Sequence, residues 1–318
     1  MIWVMGYFDG FHLGHQLLLK EARRAAKERG RGWGVLSFTA HPREVLLDKP
    51  MGLLFSRRER KILSRYLGVP VMEEIPFDRS VAEMSPSDFL HVVERKLAPS
   101  GIVVGENFRF GRGRVGDIGF LRDFSASRGW FFKALKCLEL DGELVSSTRI
   151  RGFVESGAVY EANRLLGYPF MMLGRVVRGD GRGRGLGFPT ANISLPHAKL
   201  IPGRGVYAAV AWVGGEWRGA ALNIGYNPTF QGVRSLRVEA HLIGFHEDIY
   251  GSDIVIFPLK MIRDERRFSS SCELIKQMER DVEEARRISI EVPQGFIEHM
   301  GSVLVDEMPV VMKAKKIP

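Results

Sequence analysis

The chain has 318 residues, 45% of them hydrophobic and 26% charged, with a net charge of +9 and a sequence pI of about 9.7. That length accommodates two domains with separate cores, and no run of about 18 apolar residues is present to span a membrane. Cys137 and Cys272 stand far apart, with no C-x-x-C and no metal-ligand spacing, so the cysteines fit a reducing cytoplasm. The N-terminal apolar run has no basic segment before it and is interrupted by Asp9 and His12, so it does not read as a signal peptide. The basic balance suits phosphate-bearing ligands and would also suit nucleic acid. The bland reading is a scattered solvated surface, because clusters such as Arg57-Arg58-Glu59-Arg60-Lys61 are short.

The first strand is predicted over residues 2–5, and Gly6-Tyr7-Phe8-Asp9-Gly10-Phe11-His12-Leu13-Gly14-His15 follows it directly. An amphipathic helix is expected over residues 17–29. A strand, a glycine-rich turn and a helix in that order present backbone N–H groups and a helix dipole to an anion. The glycines let the backbone approach that anion closely. His12 and His15, three apart on the first helical turn, share a face. Gly14 between them is expected to leave room for a ligand. Two imidazoles at such a turn suit phosphoryl or nucleotidyl transfer.

Residues 34–38 read as the next buried strand, ending at Thr39-Ala40-His41-Pro42-Arg43-Glu44-Val45. Strand, helix and strand argue for a parallel sheet, with ligands beyond the carboxyl ends of its strands. His41 serves there equally well as a ligand or a structural residue. Residues 56–66 and 85–97 are predicted helices, capped by Ser56 and Ser85, and residues 71–75 a strand. Gly101-Ile102-Val103-Val104-Gly105 runs into Glu106-Asn107-Phe108-Arg109-Phe110-Gly111-Arg112-Gly113-Arg114. Arginines fork onto phosphates and the two phenylalanines can stack on a ring, although a mobile basic loop is an even alternative. Residues 131–138 and 144–145 read as strand. Ser146-Ser147-Thr148-Arg149-Ile150-Arg151 opens a helix, with hydroxyls at its N-terminus and arginine one turn in.

The motif G-x-F-D-G-x-H-x-G-H resembles the HxGH nucleotidyltransferase superfamily. With H-P-R-E-V, V-V-G-E-N-F-R-F-G-R-G-R-x-G-D and S-S-T-R-I-R in order behind it, the first half is similar to the adenylyltransferase half of the prokaryotic bifunctional riboflavin kinase/FMN adenylyltransferase (FAD synthetase) family. The resemblance implies that His12 and His15 act on the ATP phosphates, and that Gly6, Asp9 and Gly14 bind ATP and its phosphates with them. It places Asn107 at the flavin nucleotide, and Ser147, Thr148 and the catalytic Arg151 on the polyphosphate. The FMN phosphate that attacks the α-phosphorus is already ionised, so this step needs positioning and charge dispersal rather than a general base.

Residues 152–166 are predicted as one helix, ended by Gly167-Tyr168-Pro169. Beyond it the texture turns to short alternating runs, with strands expected over 172–177, 205–213, 217–224, 236–242 and 254–259. That spacing suggests a small antiparallel barrel, closed by an amphipathic helix over residues 271–287. The stretch from Gly174 to Asn192 alternates glycine and arginine, including Gly181 and Gly183, as a basic flap suited to phosphates. An RNA-binding segment is the rival reading. In Arg237-Val238-Glu239-Ala240-His241-Leu242, alternation puts Glu239 and His241 on one face. A carboxylate there is a candidate base or a plain exposed strand residue.

G-R-G-R-x-L-G-F-P-T-A-N, G-V-Y-A, N-I-G-x-N-P-T-F, V-E-x-H-L and D-I-Y-G look like the riboflavin kinase half of the same family. By that resemblance Thr190 and Asn192 bind Mg²⁺ with the ATP phosphates, and Glu239 deprotonates the ribityl hydroxyl. Arg263 lies near flavin. The expected architecture is an α/β Rossmann-like nucleotidyltransferase domain (residues 1–153) and a connecting helix (154–169). A small antiparallel β-barrel with a closing helix (170–287) and a tail without an assigned role (288–318) follow. The expected activities are phosphorylation of riboflavin to FMN and adenylylation of FMN to FAD, in the cytoplasm. ATP, riboflavin and FMN are the partners, with Mg²⁺ as cofactor, no nucleic acid, no membrane, and the oligomeric state open. The rivals are a one-activity enzyme and a nucleic-acid-binding protein. Three departures from the family stand out: Tyr7 where Asn is common, the basic extension past residue 287, and a start so near the first strand that the sheet edge is expected to be trimmed.

Overall fold

The computed structural model describes residues 1–47, 51–179, 181–228 and 234–308, and the chain divides into two compact units, Met1–Ser147 and Thr148–Pro318. The Thr229-Phe230 end of one family motif, Asp180 in the flap and the basic finish of the tail lie outside the described residues.

The first unit runs β1 (Ile2–Met5), α1 (Leu13–Glu28), β2 (Trp33–Phe38), α2 (Pro42–Leu47), α3 (Arg57–Tyr66), β3 (Met72–Ile75), α4 (Arg79–Ala82), α5 (Pro86–Leu97), β4 (Gly101–Gly105), α6 (Ile118–Ser127), β5 (Phe131–Leu135) and a short hairpin, β6 (Glu139–Leu140) with β7 (Glu143–Leu144). The sheet order is β3-β2-β1-β4-β5, all parallel. β1 is therefore central and fully buried, and the edges are β3 and β5. The strand nearest the N-terminus lies between β2 and β4. This order puts the reversal of strand sequence at the carboxyl end of β1, where such sheets bind ligands. Local signals set the helices. Ser56 and Glu59 make a reciprocal capping box on α3, and Ser85 caps α5 ahead of Pro86.

The second unit takes most of α7 (Ser147–Glu155), then α8 (Val159–Leu166), β8 (Met172–Val177), α9 (Arg182–Gly185), β9 (Ala191–Ser194), β10 (Gly205–Val213), β11 (Glu216–Pro228), β12 (Arg234–Leu242), β13 (Asp253–Arg263), α10 (Ser271–Ser289) and α11 (Gln294–Glu307). Residues 152–166 are two helices rather than one. Gly157 between them adopts φ 82°, and a Cβ there would stand 2.8 Å from the Tyr207 hydroxyl. Asn163 ties α8 to the barrel, donating to the Pro258 carbonyl at 3.0 Å and accepting from Phe170 N–H at 2.6 Å.

Six strands close an antiparallel barrel in the order β10-β11-β12-β9-β8-β13. Every residue of β10 is buried, because α10 covers the face that the barrel interior does not. Ala208 meets Ala285 and Ile288 of α10, and its small side chain lets the helix approach. That double burial explains why Gly205–Val213 reads as a continuous apolar run instead of an alternating one.

Candidate active sites

In the first unit, β1 delivers the chain into a turn at the switch point of the sheet. Gly10 takes φ 120° and Phe11 φ 37°, the latter held by complete burial and by stacking on Phe8 at 5.3 Å. α1 then starts with His12 as its N-cap, and the His12 Nδ1 accepts from the His15 backbone N–H at 3.4 Å. The two imidazoles stack with centroids 3.7 Å apart. The reason for Gly14 differs from the expected one. A Cβ there would meet the His12 ring at 3.3 Å, so the glycine makes room for the histidine that folds back over it.

Burial lowers the His12 pKa to about 4. Burial and the neighbouring His12 hold His15 well below the usual imidazole value. Both rings are neutral at pH 7. With His12 Nδ1 accepting, its proton is assigned to Nε2. His15 Nδ1 is buried with no partner among the described residues. His15 also lines a cavity of about 490 Å³ at the carboxyl ends of β1, β2 and β4. Its wall is aromatic and apolar, with Tyr7, Phe38, Phe77, Phe89, Phe108 and Phe110, and Gly6 and Asn107 lie on it too. Asn107 folds over Gly105, where a Cβ would be 3.1 Å from its Oδ1.

Asp9 faces inward. Its carboxylate is 1% exposed and accepts from the backbone N–H of Leu54 at 3.4 Å and of Phe55 at 3.3 Å. The Ser147 hydroxyl donates to the Asp9 carbonyl at 3.1 Å. Thr148 and Arg151 follow on α7, in the second unit, Thr148 exposed and Arg151 partly buried. Of the basic cluster read as solvated, Arg60 is 2% exposed. It binds Glu74 at 3.0 Å, Ser37 and the Phe38 carbonyl, and lies over the Tyr7 ring.

In the second unit, register brings Asn192 of β9 and Asn223 of β11 to either side of Glu239 on β12. Arg237 approaches Glu239 at 3.9 Å. The P-T-A-N turn is pinned by His241, whose Nδ1 lies 2.9 Å from the Pro189 carbonyl. The glycine-rich flap crosses this row. A Cβ on Gly179 would collide with the Asn192 carboxamide at 2.1 Å, and one on Gly183 would stand 2.3 Å from the Phe188 carbonyl and 3.3 Å from Thr190 Oγ1. Gly181, Gly183, Thr190, Asn192 and Glu239 line one small polar cleft of about 100 Å³. Thr190 also borders a second cavity of about 290 Å³, walled by Pro189 and the segment from Phe245 to Tyr250. Among the described residues no cluster of histidine, cysteine and carboxylates could hold a metal by itself.

A family model for FAD synthetase matches residues 1–149, and one for riboflavin kinase matches residues 166–289. The bifunctional riboflavin kinase/FMN adenylyltransferase of Bacillus subtilis is 37% identical over 290 residues, covering 90% of this chain and 92% of its own. That of Escherichia coli K12 is 35% identical over 288 residues, covering 90% and 91%. The chain belongs to the bifunctional riboflavin kinase/FMN adenylyltransferase family. The crystal structure of a macrolide-efflux protein from Streptococcus pneumoniae also superposes, with a TM-score of 0.82 at 30% identity over 90% of this chain and 93% of that one. That name is the other protein's, and what the two share is a fold. Among the described residues no helix is long and apolar enough to cross a membrane.

The structure gathers Gly6, Asp9, His12, Gly14, His15 and Ser147 around one turn, with Asn107 across the cavity. It gathers Gly181, Gly183, Thr190, Asn192 and Glu239 around one cleft. Arg263 is the exception. Its Nε and Nη2 bind Asp281 of α10 at 2.7 to 3.0 Å, and its Nη1 donates to the Asp264 carbonyl. Its guanidinium is committed to the protein. Sequence reasoning gave no role to Phe245–Tyr250 or Glu265, although D-I-Y-G was the signal for the former.

Proposed function

We infer that this chain phosphorylates riboflavin to FMN at the barrel and adenylylates FMN to FAD at the parallel sheet, using ATP in both steps. The observation that carries the reading is that His15 and Asn107 line the cavity of the sheet while Thr190, Asn192 and Glu239 line the cleft of the barrel.

At the sheet, the apolar cavity suits a flat aromatic ring system, and Asn107 offers the amide that a ring edge requires. The FMN phosphate attacks the α-phosphorus of ATP, and the bond to pyrophosphate breaks. His12 and His15, neutral and held by the helix cap, donate hydrogen bonds to phosphate oxygens as charge builds there. Ser147 serves the leaving polyphosphate, the role that the family resemblance also implies for Thr148 and Arg151. Asp9 acts by holding the turn to the 54–55 backbone and makes no phosphate contact itself.

At the barrel, the second cavity takes the adenine and the flap covers the phosphates. The side-chain oxygens of Thr190 and Asn192 are hard neutral donors of the kind Mg²⁺ accepts. When bound, Mg²⁺ neutralises charge on the transferred phosphoryl group. Glu239 takes the proton of the terminal ribityl hydroxyl as its oxygen attacks the γ-phosphorus, and the bond from that phosphorus to the bridging oxygen of ADP breaks.

Incubating the protein with riboflavin and Mg²⁺-ATP, then separating the flavins, tests this reading. FMN followed by FAD is expected. Glu239→Ala is expected to abolish FMN formation and to spare FAD formation from supplied FMN, and His15→Ala to do the reverse. One substitution that removed both activities from a folded protein would sink the two-site assignment.

A further inference from the structure

Glu265 lies two residues beyond β13, on a segment that Arg263 holds in place. Asp281, the partner of Arg263, is 4% exposed, and Gln277 donates to it at 2.8 Å. Through the bond from Arg263 to the Asp264 carbonyl at 2.9 Å, this buried carboxylate fixes the backbone next to Glu265. Glu265 then reaches over β11. A Cβ on Gly225 would stand 2.3 Å from its Oε1 and 2.8 Å from its Cδ, so the carboxylate occupies a notch that only glycine leaves open.

That notch belongs to the kinase cleft, whose lining includes Gly225, Glu239 and Glu265. Asn223 pairs with Glu239 and Gly225 pairs with Arg237. Gly225 is thus two residues along the strand from the Glu239 pair, roughly 7 Å away. Among the described residues the Glu265 carboxylate has no hydrogen-bond or ion-pair partner. A carboxylate only accepts hydrogen bonds and repels a polyphosphate. Its natural partner in this cleft is the acceptor, a polyol whose hydroxyls are donors spaced along a chain of several carbons.

We propose that Glu265 binds the acceptor, taking hydrogen bonds from the inner hydroxyls of the polyol side chain while Glu239 faces the terminal one. The proposal rests on the barrel being the riboflavin-phosphorylating unit. Arg263 is then a positioning residue, acting through the backbone that carries Glu265.

Steady-state FMN formation tests it, with riboflavin and with a flavin carrying a 5-hydroxypentyl side chain, which keeps only the terminal hydroxyl. Glu265→Ala is expected to raise the riboflavin KM roughly 10- to 100-fold, the cost of charged hydrogen bonds to hydroxyls. The KM for ATP and the Mg²⁺ requirement should stay put, which also reports a folded barrel. The hydroxypentyl flavin should show little change. Glu265→Gln, which keeps an acceptor of the same shape, should lose less, and Gly225→Ala should reproduce the riboflavin defect. An unchanged riboflavin KM, an equal loss on both acceptors, or a shifted Mg²⁺ requirement would overturn the proposal. Wild-type protein that forms no FMN would instead overturn the kinase assignment, and this inference with it.

Discussion

The rings of His12 and His15 stack at 3.7 Å with an interplanar angle of 17°, and this closeness sets how the first unit responds to acid. Two imidazolium rings so near would repel, and burial already disfavours the first charge. Their folded pKa values lie below the unfolded value of about 6.5. The unfolded chain therefore binds more protons below that pH, and stability falls as pH drops from about 6.5 through the His12 value of about 4. For His12 alone the loss is on the order of 3 kcal/mol. Denaturant titrations at pH 7 and pH 5 should show wild type losing stability. His12→Asn should lose less over the same interval. Equal losses would mean that the pair does not sit neutral in the folded protein.

Asp9 is expected to matter for folding of the turn more than for binding. Asp9→Ala leaves the Leu54 and Phe55 N–H groups buried without their acceptor, at about 1–3 kcal/mol each. The turn that carries His12 would loosen with them. FAD formation from supplied FMN should drop while FMN formation from riboflavin persists. A melting curve should show early loss of the first unit. An unchanged curve with lost FAD synthesis would return Asp9 to a direct role on the nucleotide.

The Arg263–Asp281 pair makes the complementary case in the barrel. Asp281→Ala strands a mostly buried guanidinium, which costs about 3–5 kcal/mol when one partner of such a pair is removed. Arg263→Met, with Asp281 replaced by Leu in the same chain, removes both charges and should recover much of the stability. It should not recover the riboflavin KM, because the tie to the Asp264 carbonyl is gone. If the double variant recovers both, the pair serves stability alone.

The strands of the barrel could be read from sequence where burial made a continuous run, as at Gly205–Val213, and the paired histidines because their geometry is local to one helical turn. β9 was not legible. It is four residues long and takes its place only by pairing with β8 and β12. The need for glycine at the Gly157 break is set by Tyr207, fifty residues away, whose hydroxyl a Cβ would meet, and a lone glycine inside a helical pattern does not announce it. The same distance problem hid the inward turn of Asp9, whose partners are Leu54 and Phe55, and the burial of Arg60 beside Glu74. Arg263 is placed near flavin by its match to a family position, and its pairing with Asp281 of α10 could not be read from sequence because the two lie 18 residues apart on different elements.

α11 lies past residue 289, where the riboflavin kinase match ends, in the segment whose role the sequence left unassigned. It buries Phe296, Met300 and Leu304. The Trp217 indole donates to the Ile297 carbonyl at 3.1 Å, and Phe296 meets the Phe257 ring edge-on at 5.3 Å. Gly301 faces the same indole, where a Cβ would be 3.0 Å from its Nε1. Phe296→Ala should therefore cost about 3 kcal/mol by leaving a cavity, and Gly301→Leu about 1–3 kcal/mol by overfilling. Trp217 is six residues along β11 from Asn223, roughly 20 Å, so neither change should alter the riboflavin KM below the melting transition. Thermal unfolding followed by tryptophan fluorescence, with FMN formation assayed at 25 °C, separates the two effects. An unmoved melting temperature would make α11 dispensable to the barrel. A raised riboflavin KM in folded protein would mean that the helix acts on the catalytic cleft through the strand it covers.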